Sequence, residues 1–207
     1  ICLLVCLILG GMLFAIYKNQ YRLKKETPQK TIIQSIRTYK SAYTDFVNLG
    51  LNKEEARKKA IEVAISADKN SSDYIFVIED KNGKPFMVNH PIKPELNGTD
   101  LSENKDPKGK LLFVEMINTV KSSNNGFIKN MWPKAGENKA INKVTYIEKY
   151  DGLIFGMGVY SDDISKIMLI FYIIVIIAGV FTMSIVILSI ILLNKNLFNP
   201  ILLIKQK

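Results

Sequence analysis

The chain has 207 residues, with 28 Lys and Arg against 19 Asp and Glu and a formal net charge of +9. Its 2 cysteines, Cys2 and Cys6, share one uncharged N-terminal run, so the rest of the chain has neither a disulfide framework nor a thiolate metal site. With 1 histidine, no metal-spaced His or Cys cluster, no phosphate loop and no G-x-S-x-G partner for a triad, the sequence offers no catalytic constellation, and neither an enzyme activity nor a cofactor is expected.

Residues 1–16, ICLLVCLILGGMLFAI, carry no charge. A bilayer core needs about 20 apolar residues as helix, and this run is shorter. It begins with Ile, and the YKNQYRLKK that follows holds no small-x-small cleavage site, so residues 1–17 read as a first membrane helix with a truncated start rather than a signal peptide. Lys18, Arg22, Lys24 and Lys25 come next. The positive-inside rule would keep them in the cytoplasm, but it is unreliable ahead of a long translocated domain.

In TIIQSIRTYKSAYTDFVNLG, Ile32, Ile36, Tyr39, Tyr43, Phe46 and Val47 recur at helical spacing, and Gly50 is a plausible stop. Asn52 followed by Glu55 predicts the capped start of a second helix, with an apolar stripe of Ala56, Ala60, Val63, Ala64 and Ala67. The period then changes. YIFVIE (74–79) and KPFMVNH (84–90) read as strands around an Asn82-Gly83 hairpin turn. Residues 91–109 hold Pro91, Pro94, Pro107, Gly98 and Gly109 and read as a loop. Residues 111–121 carry a helical stripe of Leu112, Phe113, Met116 and Val120. Three more strands are predicted at 127–132, 143–150 and 153–160, the last two joined by Asp151-Gly152. Ser161, with Asp162 and Asp163 behind it, is placed to cap a final helix. Residues 167–193 contain no charge over 27 positions, enough for a second membrane helix at 166–194 with room for tilt.

The fold expected from this order is α+β, an antiparallel sheet of about five strands behind a long N-terminal helix, with a membrane helix on either side. Residues 18–166, the domain 18–165 with Lys166, hold every acidic residue and carry +6, which favours anionic ligands or reflects a lysine-rich composition. Nucleic-acid binding is not expected of a domain tethered in this way.

Six pieces in order, YIFVIEDKNGKPFMVNHP, G-x-D-L, DPKGK, GFIKNMWPK, KVTY and FGMGVYSDDI, resemble the single Cache domain of bacterial transmembrane receptors, in the subclass found in methyl-accepting chemotaxis proteins. The resemblance covers roughly residues 30–165. It implies an extracytoplasmic, PAS-like sheet in a two-pass inner-membrane protein, a homodimer, a small organic acid as ligand, and an output through a cytoplasmic coupling protein and histidine kinase. NKNLFNPILLIKQK resembles the start of a HAMP linker (195–207), with Pro200 at the linker's proline and Ile201, Leu202 and Ile204 behind it. The same sensor on a histidine kinase or cyclase, or a domain that binds protein and no small molecule, are the alternatives.

The resemblance also selects residues. His90 falls on the family's HP, and Trp132 on its WPK. Asn130 stands where the family usually has Tyr, two residues before the Trp. Lys143 and Tyr146 match K-x-S-Y, with Thr145 in place of Ser. In a simple strand 143 and 145 share a face while 146 points to the other, so Lys143 and Tyr146 reach one pocket only if a bulge intervenes or the strand begins later; of the two, Tyr146 is preferred. The expected ligand set is therefore His90, Asn130, Trp132, Lys143 and Tyr146. A carboxylate leaving water needs charge-assisted donors, and this region supplies lysine, histidine and phenol. Lys129, Lys134 and Lys139 read as solvated, and Asp80 as turn chemistry.

Overall fold

The structure, a computed structural model, describes residues 2–66, 73–134, 136–160 and 162–195. The chain divides into two compact units, Tyr21–Asp162 and Ile1–Gln20 with Asp163–Lys207. In chain order the elements are α1 (Cys2–Asn48), α2 (Lys53–Ile65), β1 (Ile75–Lys81), β2 (Lys84–Asn89), a 3-10 turn (Pro94–Leu96), α3 (Leu112–Ser123), β3 (Asn125–Pro133), β4 (Ala140–Tyr150), β5 (Leu153–Tyr160) and α4 (Asp162–Leu193). The five strands form one antiparallel sheet in the order β2-β1-β5-β4-β3. Ser161, Ala67 and the linker residues Pro200, Ile201, Leu202 and Ile204 lie outside the described residues.

Local chemistry accounts for most element ends. Asn52 caps α2: its Oδ1 accepts from the Glu55 N–H at 2.9 Å, and its Nδ2 donates to the Glu55 carboxylate at 3.3 Å. The β1–β2 turn needs two left-handed residues, and Asn82 and Gly83 have φ of 57° and 89°. Asp80 Oδ1 accepts from the Gly83 N–H at 2.6 Å, the turn role read for it from sequence. The β3–β4 hairpin is longer than the residue pattern indicated, because pairing runs on through Trp132 with Ile141 and Pro133 with Ala140. Pro133 is tolerated there because β3 is an edge strand and its missing N–H costs no ladder bond. Helix α1 likewise includes residues 18–30, for which no element was expected, and takes a buried Pro28 into its interior. That turn is held by packing rather than by a proline hydrogen bond.

Each face of the sheet has its own core. On one face, Ile32, Ile36 and Tyr39 of α1 and Ala60, Ile61, Ala64 and Ile65 of α2 pack on Ile75, Val77, Tyr146, Leu153, Phe155 and Met157. Ser35 Oγ ties the two helices by donating to the Ala64 carbonyl at 2.8 Å. Val63, expected in the α2 stripe, is 42% exposed: the buried stripe is Ala56, Ala60, Ile61, Ala64 and Ile65, rotated by the choice of Ile over Val as the large residue. On the opposite, distal face, α3 lays Leu112, Phe113, Met116, Ile117 and Val120 over Phe76, Ile78, Ile128, Ile147 and Ile154.

The distal face stays flat enough to be covered because β5 carries Gly156 and Gly158 there. A Cβ at Gly156 would lie 2.3 Å from the Phe76 ring, and one at Gly158 would lie 2.2 Å from Lys143 Cε and 2.7 Å from Thr145 Oγ1. In the other unit, α4 contains a stretch, Met168–Leu193, long and apolar enough to cross a membrane, the single such helix among the described residues. The flanking pair expected from sequence is thus met by one helix. Half of the side chains of the first apolar run, those of residues 1–7 and 9, lie outside the described residues.

Urea unfolding checks this packing. Asn52→Ala is expected to lose about 1 kcal/mol for the missing cap. Gly156→Ala is expected to lose about 1–3 kcal/mol by pushing on the Phe76 ring. A neutral Gly156→Ala would contradict the ring contact.

Candidate functional site

The site begins with an irregularity in β2. Ile78 pairs with Met87 but Val77 pairs with Asn89, so Val88 is one residue extra. Met87 packs in the distal core, Val88 against the core under α1 and α2. Without the bulge, strict alternation would put His90 on the α1 face; with it, His90 returns to the distal side. There it is 2% exposed, with its ring 4.9 Å from Tyr74 and 6.1 Å from Trp132.

A small cavity lies beneath α3, lined by Tyr74, Phe76, His90, Leu112, Phe113, Met116, Asn130, Trp132, Lys143 and Thr145. Four of the five residues chosen from sequence meet there: His90, Asn130, Trp132 and Lys143. The fifth does not. Tyr146 is on the opposite face, its ring 4.9 Å from Phe127, and its hydroxyl donates to Glu148 at 2.7 Å. The pairing of β4 with β3 runs without a shift from Asn125 to Pro133, so strand alternation puts Lys143 and Thr145 in the cavity and turns Tyr146 away. The preference for Tyr146 over Lys143 is therefore reversed. Burial, and then Glu148, hold the Tyr146 phenol protonated well above its usual range.

Lys143 is the unusual member. It is 3% exposed, with Nζ 4.3 Å from the Tyr74 ring centre and 4.5 Å from that of Tyr160. Its hydrogen-bond contact, to Tyr160 Oη, is long at 3.4 Å. No ion pair to Lys143 is found among the described residues. Burial pushes its ammonium down from 10.5 to about 7, against the pull of the Asp73 carboxylate. The Tyr160 hydroxyl is occupied as a donor, to the Pro133 carbonyl at 2.8 Å, so it turns its lone pairs to Lys143.

The other polar groups are fixed in orientation. His90 Nδ1 accepts from the Lys93 backbone N–H at 3.0 Å, which places the proton of the neutral ring on Nε2. Burial, followed by repulsion from Lys143 and Lys93, pushes His90 down to about 3, so it stays neutral across the physiological range. Asn130 Oδ1 accepts from Thr145 Oγ1 at 2.8 Å, which turns the Nδ2 donor away from Thr145. Trp132 stands edge-on to Phe113, rings 5.8 Å apart, with Lys93 Nζ 5.1 Å over its own face. The margin is held by Asp106, whose carboxylate accepts from Lys108 at 2.8 Å, Lys110 at 3.0 Å and, in β3, Met131 at 3.2 Å. Burial alone would raise that carboxyl; the backbone donors win and hold it below the usual range.

Tyr74, Thr145 and Tyr160 belong to this site and were not selected from sequence. The usable signal was F-G-M-G. Two glycines on one face of a strand mark a close approach, here by the Phe76 ring and the Lys143 stem. Among the described residues no group of three His, Cys, Asp or Glu could hold a metal ion. The arrangement presents one buried ammonium, a neutral imidazole N–H and an amide inside an aromatic wall, a donor set suited to an anion.

Comparison with known proteins points the same way. The Cache domain family matches residues 13–170. The methyl-accepting chemotaxis protein McpP of Pseudomonas putida is 32% identical over 156 residues, 74% of this chain, and the chain spans 28% of that protein's length. A solved periplasmic sensor domain of a chemotaxis protein superposes with a TM-score of 0.58 at 32% identity, covering 68% of this chain and 99% of that one. A Cache chemosensory domain studied for carboxylic acid recognition gives a TM-score of 0.58 at 30% identity, covering 70% and 97%. A methyl-accepting chemotaxis protein of Vibrio parahaemolyticus, 24% identical with a TM-score of 0.57 over 74% and 99% of the two chains, shares the fold. A family match over most of the chain, joined to a five-stranded sheet with its polar cavity on one face, establishes that the chain belongs to the Cache domain family.

Proposed function

We propose that the chain is the sensing segment of a bacterial chemoreceptor, and that its distal-face cavity binds a small carboxylate. The observation that carries this reading is Lys143, an ammonium buried between two tyrosine rings with no ion-pair partner among the described residues. A charge so placed is costly until an anion joins it, and a carboxylate supplies one of matching size. Lys143 faces one carboxylate oxygen, while His90 Nε2 and Asn130 Nδ2 serve the other and Trp132 forms the wall. The carboxylic acid recognition studied in a structural neighbour supports the same ligand class.

The cavity holds about 10 Å³, close to what one water occupies. Binding therefore requires the walls to move. The segment best placed to do so is 91–99, where the His90 N–H donates to Asn97 Oδ1 at 2.8 Å and Lys93 lies over Trp132. In this reading the domain is periplasmic and homodimeric, and residues 1–17 and α4 cross the inner membrane. The motion passes through α4 to a HAMP linker, and so to a coupling protein and histidine kinase. A ligand shifts such an equilibrium only by its differential affinity for the two states.

A thermal-shift screen of the whole chain in detergent micelles, against millimolar acetate, lactate, pyruvate and succinate, tests the ligand class. At least one acid is expected to raise Tm by several degrees, and Lys143→Met to abolish the effect; no stabilisation by any of them would sink the proposal. Without ligand, Lys143→Met is expected to raise Tm at pH 6, because burial outweighs the pull of Asp73 and replacing such a buried charge by an apolar side chain of similar volume is stabilising.

The pH dependence has a definite sign. The unfolded chain keeps the Lys143 proton up to 10.5 and the folded chain only to about 7. Between those values the unfolded state binds more protons, so stability rises with pH, and below 7 that contribution is absent. The Tm advantage of Lys143→Met should shrink steadily above pH 7. A bound carboxylate favours the ammonium, so acid affinity should fall as pH rises above 7, by up to about tenfold per unit. Affinity independent of pH from 6 to 9 would contradict the role given to Lys143.

A further inference from the structure

Tyr160 touches both sides of the sheet. Its ring stands on the distal face, where Lys143 Nζ lies 4.5 Å from its centre and 3.4 Å from its hydroxyl. That hydroxyl reaches across β4 to the Pro133 carbonyl of β3 at 2.8 Å. Its backbone carbonyl, by contrast, accepts a hydrogen bond from Lys24 Nζ of α1. Tyr160 is also the last residue of β5 and the register partner of Lys143 in β4. One residue therefore joins the ammonium in the cavity, the tip of the β3–β4 hairpin and the incoming helix, at the point where the chain leaves the sheet.

Lys24 belongs to a short stretch of α1 that is fastened to the sheet. One residue on, Lys25 Nζ lies 5.8 Å from the centre of the Phe127 ring and 5.2 Å from that of Tyr21. One turn on, the Gln29 side chain acts on the Tyr146 phenol, lowering its pKa against the larger effects of burial and Glu148. Tyr146 and Phe127 are neighbours across β3 and β4, on the face opposite the cavity. The α1 contacts thus gather behind the very strands whose distal side carries Lys143, Thr145 and Asn130. A β-strand is thin: displacing the Tyr160 ring on one face rotates its peptide and re-aims the carbonyl on the other.

We propose that Lys24 is a positioning residue for the anion site. Acting through the Tyr160 carbonyl, it fixes the Tyr160 side chain against Lys143, so that occupancy of the cavity and attachment of α1 to the end of β5 are one linked equilibrium. An anion that draws Lys143 away from Tyr160 loosens the Lys24 contact, and loss of that contact alters anion binding in turn, by the same factor. The inference rests on the anion-site reading for its consequence, but its physical core, coupling of Lys24 to Lys143 through Tyr160, does not need a ligand.

Accordingly the test is a double-mutant cycle on the whole chain in detergent micelles. Urea unfolding is measured for wild type, Lys24→Met, Lys143→Met and the double variant. Sites on opposite faces with no shared partner are additive; these two share Tyr160, and the double variant's unfolding constant is expected to differ by about threefold or more from the product of the single effects. Lys24→Gln serves in place of Lys24→Met should the latter fail to fold. A second readout separates positioning from bulk stability: the pH at which the Lys143-dependent step in stability falls is expected to move in the Lys24 variant. Additivity in the cycle together with an unmoved step overturns the proposal, whether or not acetate binds the wild-type chain; absence of acetate binding alone strikes the anion-site reading and leaves the cycle to decide this one.

Discussion

An ammonium group taken out of water costs several kcal/mol unless a partner restores what hydration supplied. Lys143 is in that position, and much of the distal face is arranged around it. Gly158 leaves room for its stem. Tyr74 and Tyr160 offer ring faces, which soften the cost through cation–π attraction without cancelling the charge. His90 is held neutral beside it, so the site carries one positive charge at its floor rather than two. In the proposed reading, the remainder is what favours taking up an anion.

The two faces of the sheet divide the labour. The face under α1 and α2 is a packed apolar core, with Tyr39, Phe155 and Tyr146 among its largest members. The distal face mixes apolar packing from α3 with a polar centre, and it is held at its margins by local hydrogen bonds. Asp106 fastens the 100–110 segment to β3, and Asn97 fastens the 90–97 segment to β2. Short segments pinned at a few points can open without disturbing the strands beneath them, which is what a cavity the size of one water requires of any larger guest.

Much of this was legible in the residues. The β1–β2 turn followed from Asn82-Gly83, the α2 start from Asn52 and Glu55, and α3 from its stripe, because each is governed by neighbours in sequence. Strand alternation also set Lys143 against Tyr146 on opposite faces, and it is Lys143, not the favoured Tyr146, that lines the cavity. The features that escaped are non-local. The Val88 bulge that turns His90 inward depends on the pairing of β1 with β2. The extension of β4 back to Ala140 depends on the partner strand rather than on its own propensity. Tyr160 read as an ordinary strand residue, since nothing beside it in sequence reveals that Lys143 sits across the ladder.

The account stands on a carboxylate binding next to a lysine whose ammonium burial pushes down to about 7. Calorimetric titration of the whole chain with a stabilising acid at about pH 8, repeated in buffers of different ionisation enthalpy, measures the protons exchanged on binding. The account predicts uptake approaching one proton per site in the wild type and no binding heat in Lys143→Met. Tight binding with no proton uptake, or uptake that persists in Lys143→Met, would contradict it.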